Sequence, residues 1–257
     1  MPDDPRASPG GPTEADLQTM DRDGYLVVRS FFDAEATQDL LRWTDEIATT
    51  PERPGRHMVY YEDSLTEPGR RVVQRIENFV PFHQGFDTLI RHGRLLDWTA
   101  ALMRGPAVLF KEKINFKLPG ADGFKAHQDQ QAGWTRYAPI FITALVTIDP
   151  ATIQNGCLEM VPGRHKEGLI GAEWSPLEDA ALDLIPTPTA PGDVIFFDSF
   201  APHASKPNLT DGPRRILYLT YNALEHGDHR IQYYAEKRAA FPPDIEREAG
   251  STYIFKI

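Results

Sequence analysis

Three side chains of this 257-residue chain have the types and spacing to hold a redox metal: His127 and Asp129, two apart, and His203 far downstream. Two imidazoles and one carboxylate on one face of an iron(II) ion leave positions open for a cosubstrate and O2. Arg214 follows His203 by eleven residues (214 − 203 = 11). A guanidinium there can meet the far carboxylate of a dicarboxylate through two parallel hydrogen bonds. Together these four residues point to an oxygenase that runs on iron(II) and 2-oxoglutarate.

Two ambiguities accompany this reading. A second triplet of the same kind, His226-Gly227-Asp228 with His229 beside it, lies in a turn-rich stretch with no histidine further on, and is the weaker candidate. Arg214 and Arg215 are adjacent at a strand start, so they face opposite ways. Arg214 shares its face with Ile216, Tyr218 and Thr220, and Arg215 with Leu217, Leu219 and Tyr221. Both faces are half apolar, and pattern alone leaves the choice open.

The elements that must position these groups follow from the texture of the chain. If residues 127–129 are extended, His127 and Asp129 share a face and can reach one ion. Pro191-Gly192-Asp193 reads as a turn, Val194–Phe197 as a strand, and Ala201–Ser205 as the next loop or strand start, carrying His203. From Ala107 onward, β-branched and aromatic runs recur between Pro and Gly punctuation, at 108–118, 140–148, 158–161, 193–197, 214–222 and 253–257. That spacing predicts a mainly β fold with α, a double-stranded β-helix of the jelly-roll, cupin-like kind. Upstream, Thr13 and Asp33 read as helix N-caps, and 86–103 carries helical periodicity. Residues 24–28 and 71–79 read as short strands, and His57–Thr66 as a polar, aromatic loop that could serve as a lid. Residues 1–12, rich in Pro, Gly and Asp, are expected to be a disordered tail, leaving one domain over 13–257 with an N-terminal helical cover.

Composition narrows the function. The net charge of −10 repels phosphate backbones, so no nucleic-acid partner is expected. Cys157 is the only cysteine, which excludes an intrachain disulfide. With no apolar leader region and no run approaching the roughly 20 apolar residues of a membrane span, a cytoplasmic enzyme with a small-molecule substrate and no membrane partner is expected.

Longer motifs carry a family resemblance. They are Lys113-Ile114-Asn115-Phe116-Lys117, Gly123-Phe124-Lys125-Ala126-His127-Gln128-Asp129, and Asn155-Gly156-Cys157-Leu158-Glu159-Met160-Val161-Pro162-Gly163-Arg164-His165, with Pro191–Phe197 and Pro202–Ser205. Over nearly the whole chain from Asp21 onward it resembles the phytanoyl-CoA dioxygenase family of iron(II)/2-oxoglutarate oxygenases. The resemblance implies iron held by His127, Asp129 and His203, with 2-oxoglutarate chelating the ion at its keto-acid end and meeting Arg214 at the other. It makes Ser205 a cosubstrate donor. Asn115 and Lys117, on one strand face with Lys111 and Lys113, are further candidates for the cosubstrate, as is Gln130. Pro162–His165 and Asn155-Gly156 read as structural turns.

The implied reaction consumes O2, releases succinate and CO2, and hydroxylates a C–H bond. Because Asp129 is retained, no ligand position is vacated for a halide, and hydroxylation is the default. Gln131, Trp134, Arg136 and Tyr137 are expected to form a loop over the mouth of the site. Arg75 and Glu77 would contact a polar substrate if they face inward; an exposed strand edge is the alternative. The tract Tyr233–Arg238 near Phe241 resembles bacterial small-molecule members of the family, some of which hydroxylate aminoalkylphosphonates. The expected substrate is thus a small polar metabolite or natural-product intermediate. A cupin-like metal enzyme without 2-oxoglutarate and a non-catalytic barrel are the competing functions.

Overall fold

The computed structural model of this chain describes residues 10–253. The first nine residues of the expected tail, and residues 254–257 of the expected last strand, lie outside it; Ser251–Tyr253 is irregular.

Local chemistry sets the N-terminal elements. The Thr13 hydroxyl accepts the Asp16 N–H while the Asp16 carboxylate takes back that of Thr13, so a capping box opens α1 (Glu14–Asp23). Gly24 closes it at φ 79°, and a Cβ there would lie 2.4 Å from the His165 ring, so the turn and its packing both require glycine. Strand β1 (Tyr25–Val28) follows, and Asp33 caps α2 (Ala34–Thr49). The single helix expected over 86–103 is two, α3 (Gln84–Arg91) and α4 (Arg94–Leu102), because Gly93 at φ 78° breaks it. The loop expected at His57–Thr66 is corrected: Met58–Asp63 is strand β2, paired with β3 (Arg71–Glu77). Glu62 and Asp63 lend it a loop-like polarity, whereas Met58 and Tyr60 are buried. Such a mixture suits a sheet edge.

The remaining strands are β4 (Ala107–Asn115), β5 (Phe124–His127), β6 (Ile142–Thr147), β7 (Leu158–Met160), β8 (Ile185–Thr187), β9 (Val194–Asp198), β10 (His203–Ser205) and β11 (Ile216–Ala223). They form two antiparallel sheets, a larger one ordered β1-β9-β6-β11-β4-β3-β2 and a smaller one ordered β5-β10-β7-β8. This is the expected jelly roll, with three strands from the N-terminal part added to the larger sheet. The final helix, α5 (Arg230–Ala240), packs on β4.

Alternation on the larger sheet divides its two faces. Ile114, Ala144, Val146, Val194, Phe196, Leu217 and Leu219 face outward and join Leu40, Phe86, Ile90 and Trp98 of the helices in the main core. Residues of the opposite parity point between the sheets: Leu145, Ile195, Phe197, Ile216 and Tyr218 meet Leu158 and Met160 of the smaller sheet. Polar groups share this inner parity, namely Arg75, Glu77, Lys111, Lys113, Asn115, Thr143 and Thr220. A bulge at Phe110 inserts its ring into an aromatic cluster with Trp134, Tyr137, Phe141 and Tyr233. Among the described residues, no helix is long and apolar enough to cross a membrane.

Candidate metal centre

Backbone pairing brings the two histidines together. His127, the last residue of β5, lies directly opposite His203, the first of β10. Gln128 is extended (φ −104°, ψ 135°), and Asp129 opens a short 3-10 turn just beyond it. Imidazole Nε2 of His127 lies 3.8 Å from Asp129 Oδ1, and that of His203 lies 4.0 Å from the same oxygen. Ligand atoms of all three lie within 4.8 Å of one another, the one such group of His, Cys, Asp and Glu among the described residues.

The surroundings prepare these atoms for a cation. Nδ1 of His127 is 2.7 Å from the Lys125 carbonyl oxygen and Nδ1 of His203 is 3.0 Å from that of Ala201. A carbonyl only accepts, so Nδ1 carries the proton in each ring and Nε2 keeps its lone pair for an ion. Burial pushes both imidazoles down, and for His127 the neighbouring His203 adds to the effect, so both stay neutral as ligands must. For Asp129, burial works to raise the carboxyl, but its neighbours, the His203 ring and the charges of Lys113 and Lys111 among them, outweigh it and hold the group below its ordinary value. Thr143 donates to Asp129 Oδ2 at 3.3 Å, and its hydroxyl lies 3.0 Å from that of Thr220, its cross-strand partner. The donor set and its fixed tautomers fit a divalent ion with open coordination positions. The sequence reading gives neither threonine a role at the site; a polar residue at inner parity in an apolar strand is the signal that could have found them.

Ser205, two residues past His203, belongs to a buried cluster of polar side chains. Arg214 is 1% exposed, and its Nη2 donates to the Gly156 carbonyl at 2.7 Å, while Nε and Nη1 have no hydrogen-bond partner. Leaving buried guanidinium donors unsatisfied is costly, so the site is built for a missing acceptor. Lys117 Nζ, 2.8 Å from Ser205 Oγ, also donates to the Lys206 carbonyl. Burial, and then the Arg214 charge, push the Lys117 ammonium down to about 6. Asn115 is buried with Oδ1 unpartnered, and the Tyr218 hydroxyl sits beside both Asn115 and Arg214. Gly156 (φ 75°) admits no Cβ, which would lie 2.0 Å from the Lys206 carbonyl oxygen. Arg215 turns away, bonded to Asp149 through Nε at 2.7 Å and Nη2 at 2.9 Å, so the arginine left open by pattern is resolved by its acidic partners.

In front of the triad lies an open cavity of about 500 Å³ that His127 and Asp129 line. Arg75 and Glu77 face into it, joined by a 2.7 Å ion pair, and Lys237 of α5 holds both carboxylate oxygens of Glu77 at 2.7 and 2.5 Å. Burial alone would raise the Glu77 carboxyl, but Lys237, Lys111 and Arg75 together hold it below the usual carboxylate range. Trp134, Tyr137 and Tyr233 form an aromatic wall, and Arg136 pairs with Glu236 at the mouth.

Two of the expected residues make other contacts. The Gln131 side chain accepts from Gln128 N–H and donates to the carbonyls of Ala172 and Ser175, and it does not line the cavity. Gln130 donates to Thr135 and weakly to the Ala138 carbonyl, again away from the triad. The 3-10 turn that begins at Asp129 directs both amides into the loop scaffold. The rival triplet is also structural: His229 bonds the His226 carbonyl, and Asp228 accepts the Arg230 N–H at the start of α5.

Comparison with known proteins agrees with this geometry. The family profile described as Phytanoyl-CoA dioxygenase (PhyH) matches residues 20–216. Methylphosphonate hydroxylase of Gimesia maris is 41% identical over 233 residues, covering 89% of this chain and 88% of its own. The 2-aminoethylphosphonate dioxygenase of the uncultured bacterium HF130_AEPn_1 is 38% identical over 235 residues, covering 90% and 89%. In fold, the chain is similar to the crystal structure of EctD from S. alaskensis with 2-oxoglutarate and 5-hydroxyectoine, with a TM-score of 0.70 and 23% identity over 88% of this chain and 79% of that one. The chain belongs to the phytanoyl-CoA dioxygenase family and is an oxidoreductase of the dioxygenase class.

Proposed function

We propose that this chain is an iron(II)/2-oxoglutarate-dependent hydroxylase of a small organophosphonate. The single observation that carries the cosubstrate is the buried Arg214 guanidinium, with two nitrogens unpartnered. A cupin-like reaction without a dicarboxylate would leave that charge uncompensated. When bound, iron(II) and 2-oxoglutarate supply the oxidising chemistry: with O2, the keto acid becomes succinate and CO2, and one oxygen atom enters a substrate C–H bond.

The chain's own residues do the rest. His127, Asp129 and His203 would hold the ion, with the Lys125 and Ala201 carbonyls fixing the rings and Thr143 orienting the carboxylate. Arg214 takes the distal carboxylate of the cosubstrate, Lys117 and Ser205 add donors, and Asn115 and Tyr218 border it. The aromatic wall of Trp134, Tyr137 and Tyr233 excludes water from the reacting carbon. Two lines support the substrate class: the excess of cations in the cavity, Arg75, Lys111, Lys113, Arg136 and Lys237 against Glu77, Asp129 and Glu236, and the likeness to two enzymes named for phosphonates. We read residues 13–257 as one catalytic domain that works in the cytoplasm, where the lone buried thiol of Cys157 stays reduced.

The test is succinate release by the purified chain with iron(II), 2-oxoglutarate and a panel of alkyl- and aminoalkylphosphonates, amino acids and ectoine. Succinate formed in step with a hydroxylated phosphonate is the expected result. Turnover of only a non-phosphonate would overturn the substrate class, and product without succinate would overturn the cosubstrate.

A further inference from the structure

The cavity in front of the triad holds three carboxylates, and each is already engaged. Glu77 is bonded by Arg75 and Lys237, Glu236 by Arg136 and Tyr137, and Asp129 belongs to the metal centre. The cations are not matched in the same way. Lys111 and Lys113 line the cavity, yet neither ammonium has a hydrogen bond or ion pair among the described residues. Lys111 Nζ lies 4.8 Å from the Trp134 ring and 5.4 Å from the Tyr233 ring, and Lys113 Nζ lies 4.8 Å from Tyr218 and 5.7 Å from Phe124. Aromatic faces attract such charges but do not replace their hydrogen bonds.

Two like charges side by side on one strand face are an unfavourable arrangement for a sheet. Burying Lys111, and half-burying Lys113, without acceptors adds a further cost. The nearby carboxylates offset part of it, but an ion on the triad consumes the Asp129 charge. The arrangement therefore calls for an anion supplied from outside.

We infer that Lys111 and Lys113 form the clamp that takes the phosphonate head of the substrate and so sets which C–H bond faces the metal centre. The inference rests on the hydroxylase reading above and names the anchor within it. Two residues apart on β4, the lysines start roughly 7 Å apart, close enough for their flexible stems to reach one group placed between them. Each ammonium offers three donors. A phosphonate presents three oxygens and up to two charges to match, whereas a carboxylate presents two oxygens and one charge. The Arg75–Glu77–Lys237 cluster, whose ion pairs close on one another, forms a rigid neighbouring wall rather than the anchor.

The experiment measures phosphonate binding by calorimetry, without O2, to the full chain loaded with iron(II) and 2-oxoglutarate. Methylphosphonate and 2-aminoethylphosphonate are the probes. Lys111→Met and Lys113→Met keep the packed stems and remove the charges. Each is expected to weaken phosphonate binding about tenfold or more, the scale of a lost hydrogen bond to a charged group, with 2-oxoglutarate affinity unchanged. Binding retained within about twofold in both variants overturns the clamp. A loss that falls on 2-oxoglutarate instead also overturns it, by assigning the lysines to the cosubstrate. The unaltered enzyme gives a second arm in case a variant does not fold. The monomethyl ester of the better phosphonate, short of one charge and one free oxygen, should bind about tenfold more weakly than its parent, and equal binding overturns the clamp. If the unaltered enzyme neither binds nor hydroxylates any phosphonate, the substrate reading itself falls. If it does both and the variants match it, only the clamp falls.

Discussion

The buried rear cluster around Arg214 and the open front cavity at the triad are built on opposite electrostatic principles. In the cluster Arg214, Lys117, Ser205 and Asn115 are buried, and a guanidinium and an amide oxygen lack partners. In front, the cavity is wide and aromatic, and its carboxylates are all bonded. The rear cluster has the form of a lock for one dicarboxylate, and the front that of a mouth with adjustable charge. The contrast shows how one scaffold can keep a cosubstrate and change its substrate: the rear residues sit at or just beyond the ends of β4, β10 and β11, whereas α5 and the loop after β5 supply much of the front.

The strongest challenge to this division is removal of a shared wall. His203→Ala should abolish stoichiometric cobalt(II) binding in an anaerobic titration and lower turnover by roughly a thousandfold or more, because both regions depend on the ion. Tight metal binding in this variant would mean that the triad is not the centre. Arg214→Met probes the rear cluster alone: KM for 2-oxoglutarate should rise about a hundredfold, as expected on losing a bidentate charged contact, with substrate affinity nearly constant. A rise in substrate KM of the same size would erase the distinction between the two regions.

Glu77→Gln tests whether the front wall is held by its own ion pairs. Removing one member of this buried cluster leaves Arg75 and Lys237 without their counter-charge and should destabilise the chain by about 3–5 kcal/mol, read in urea denaturation. Undiminished stability would mean that α5 is held by the Arg230–Glu112 pair and the tyrosines alone.

The smallest effect is a pH dependence of the rear cluster. The folded-state value of Lys117 is depressed to about 6 from an ordinary 10.5. Between those values the unfolded chain binds more protons, so this residue's contribution to stability improves as pH rises through the window, and its full penalty is felt below about pH 6. Without cosubstrate, Lys117→Met should therefore raise Tm relative to the parent most at pH 6, with the gap narrowing toward pH 10. A gap independent of pH would assign the change to packing.

The metal centre was legible in the sequence because its ligands are few, chemically rare and tied to strand parity. In the rear cluster, Lys117, Asn115 and Ser205 were named from the resemblance, which also chose Arg214; the Asp149 that holds Arg215 away is tied to it by no local pattern. The front was less so. Gln130 and Gln131 stand next to a ligand in sequence yet point elsewhere, because the chain leaves the extended conformation at Asp129. Lys237 reads as a surface lysine until folding brings Glu77 to it across 160 residues. The edge strand β2 passed for a loop because burial of Met58 and Tyr60 comes from distant partners such as Phe241, stacked 5.4 Å from Tyr60.

The pairing of His127 with His203 has a consequence for assembly. An ion held by both would act as a cross-link between β5 and β10, closing a loop of 76 residues (203 − 127 = 76) and lowering the entropy of the opened chain. Amide hydrogen exchange in the smaller sheet should then slow on metal loading, most at Ala126 and Ala204, while the distant β2–β3 hairpin exchanges as before. Iron supply would in that way govern the lifetime of the fold as well as its chemistry.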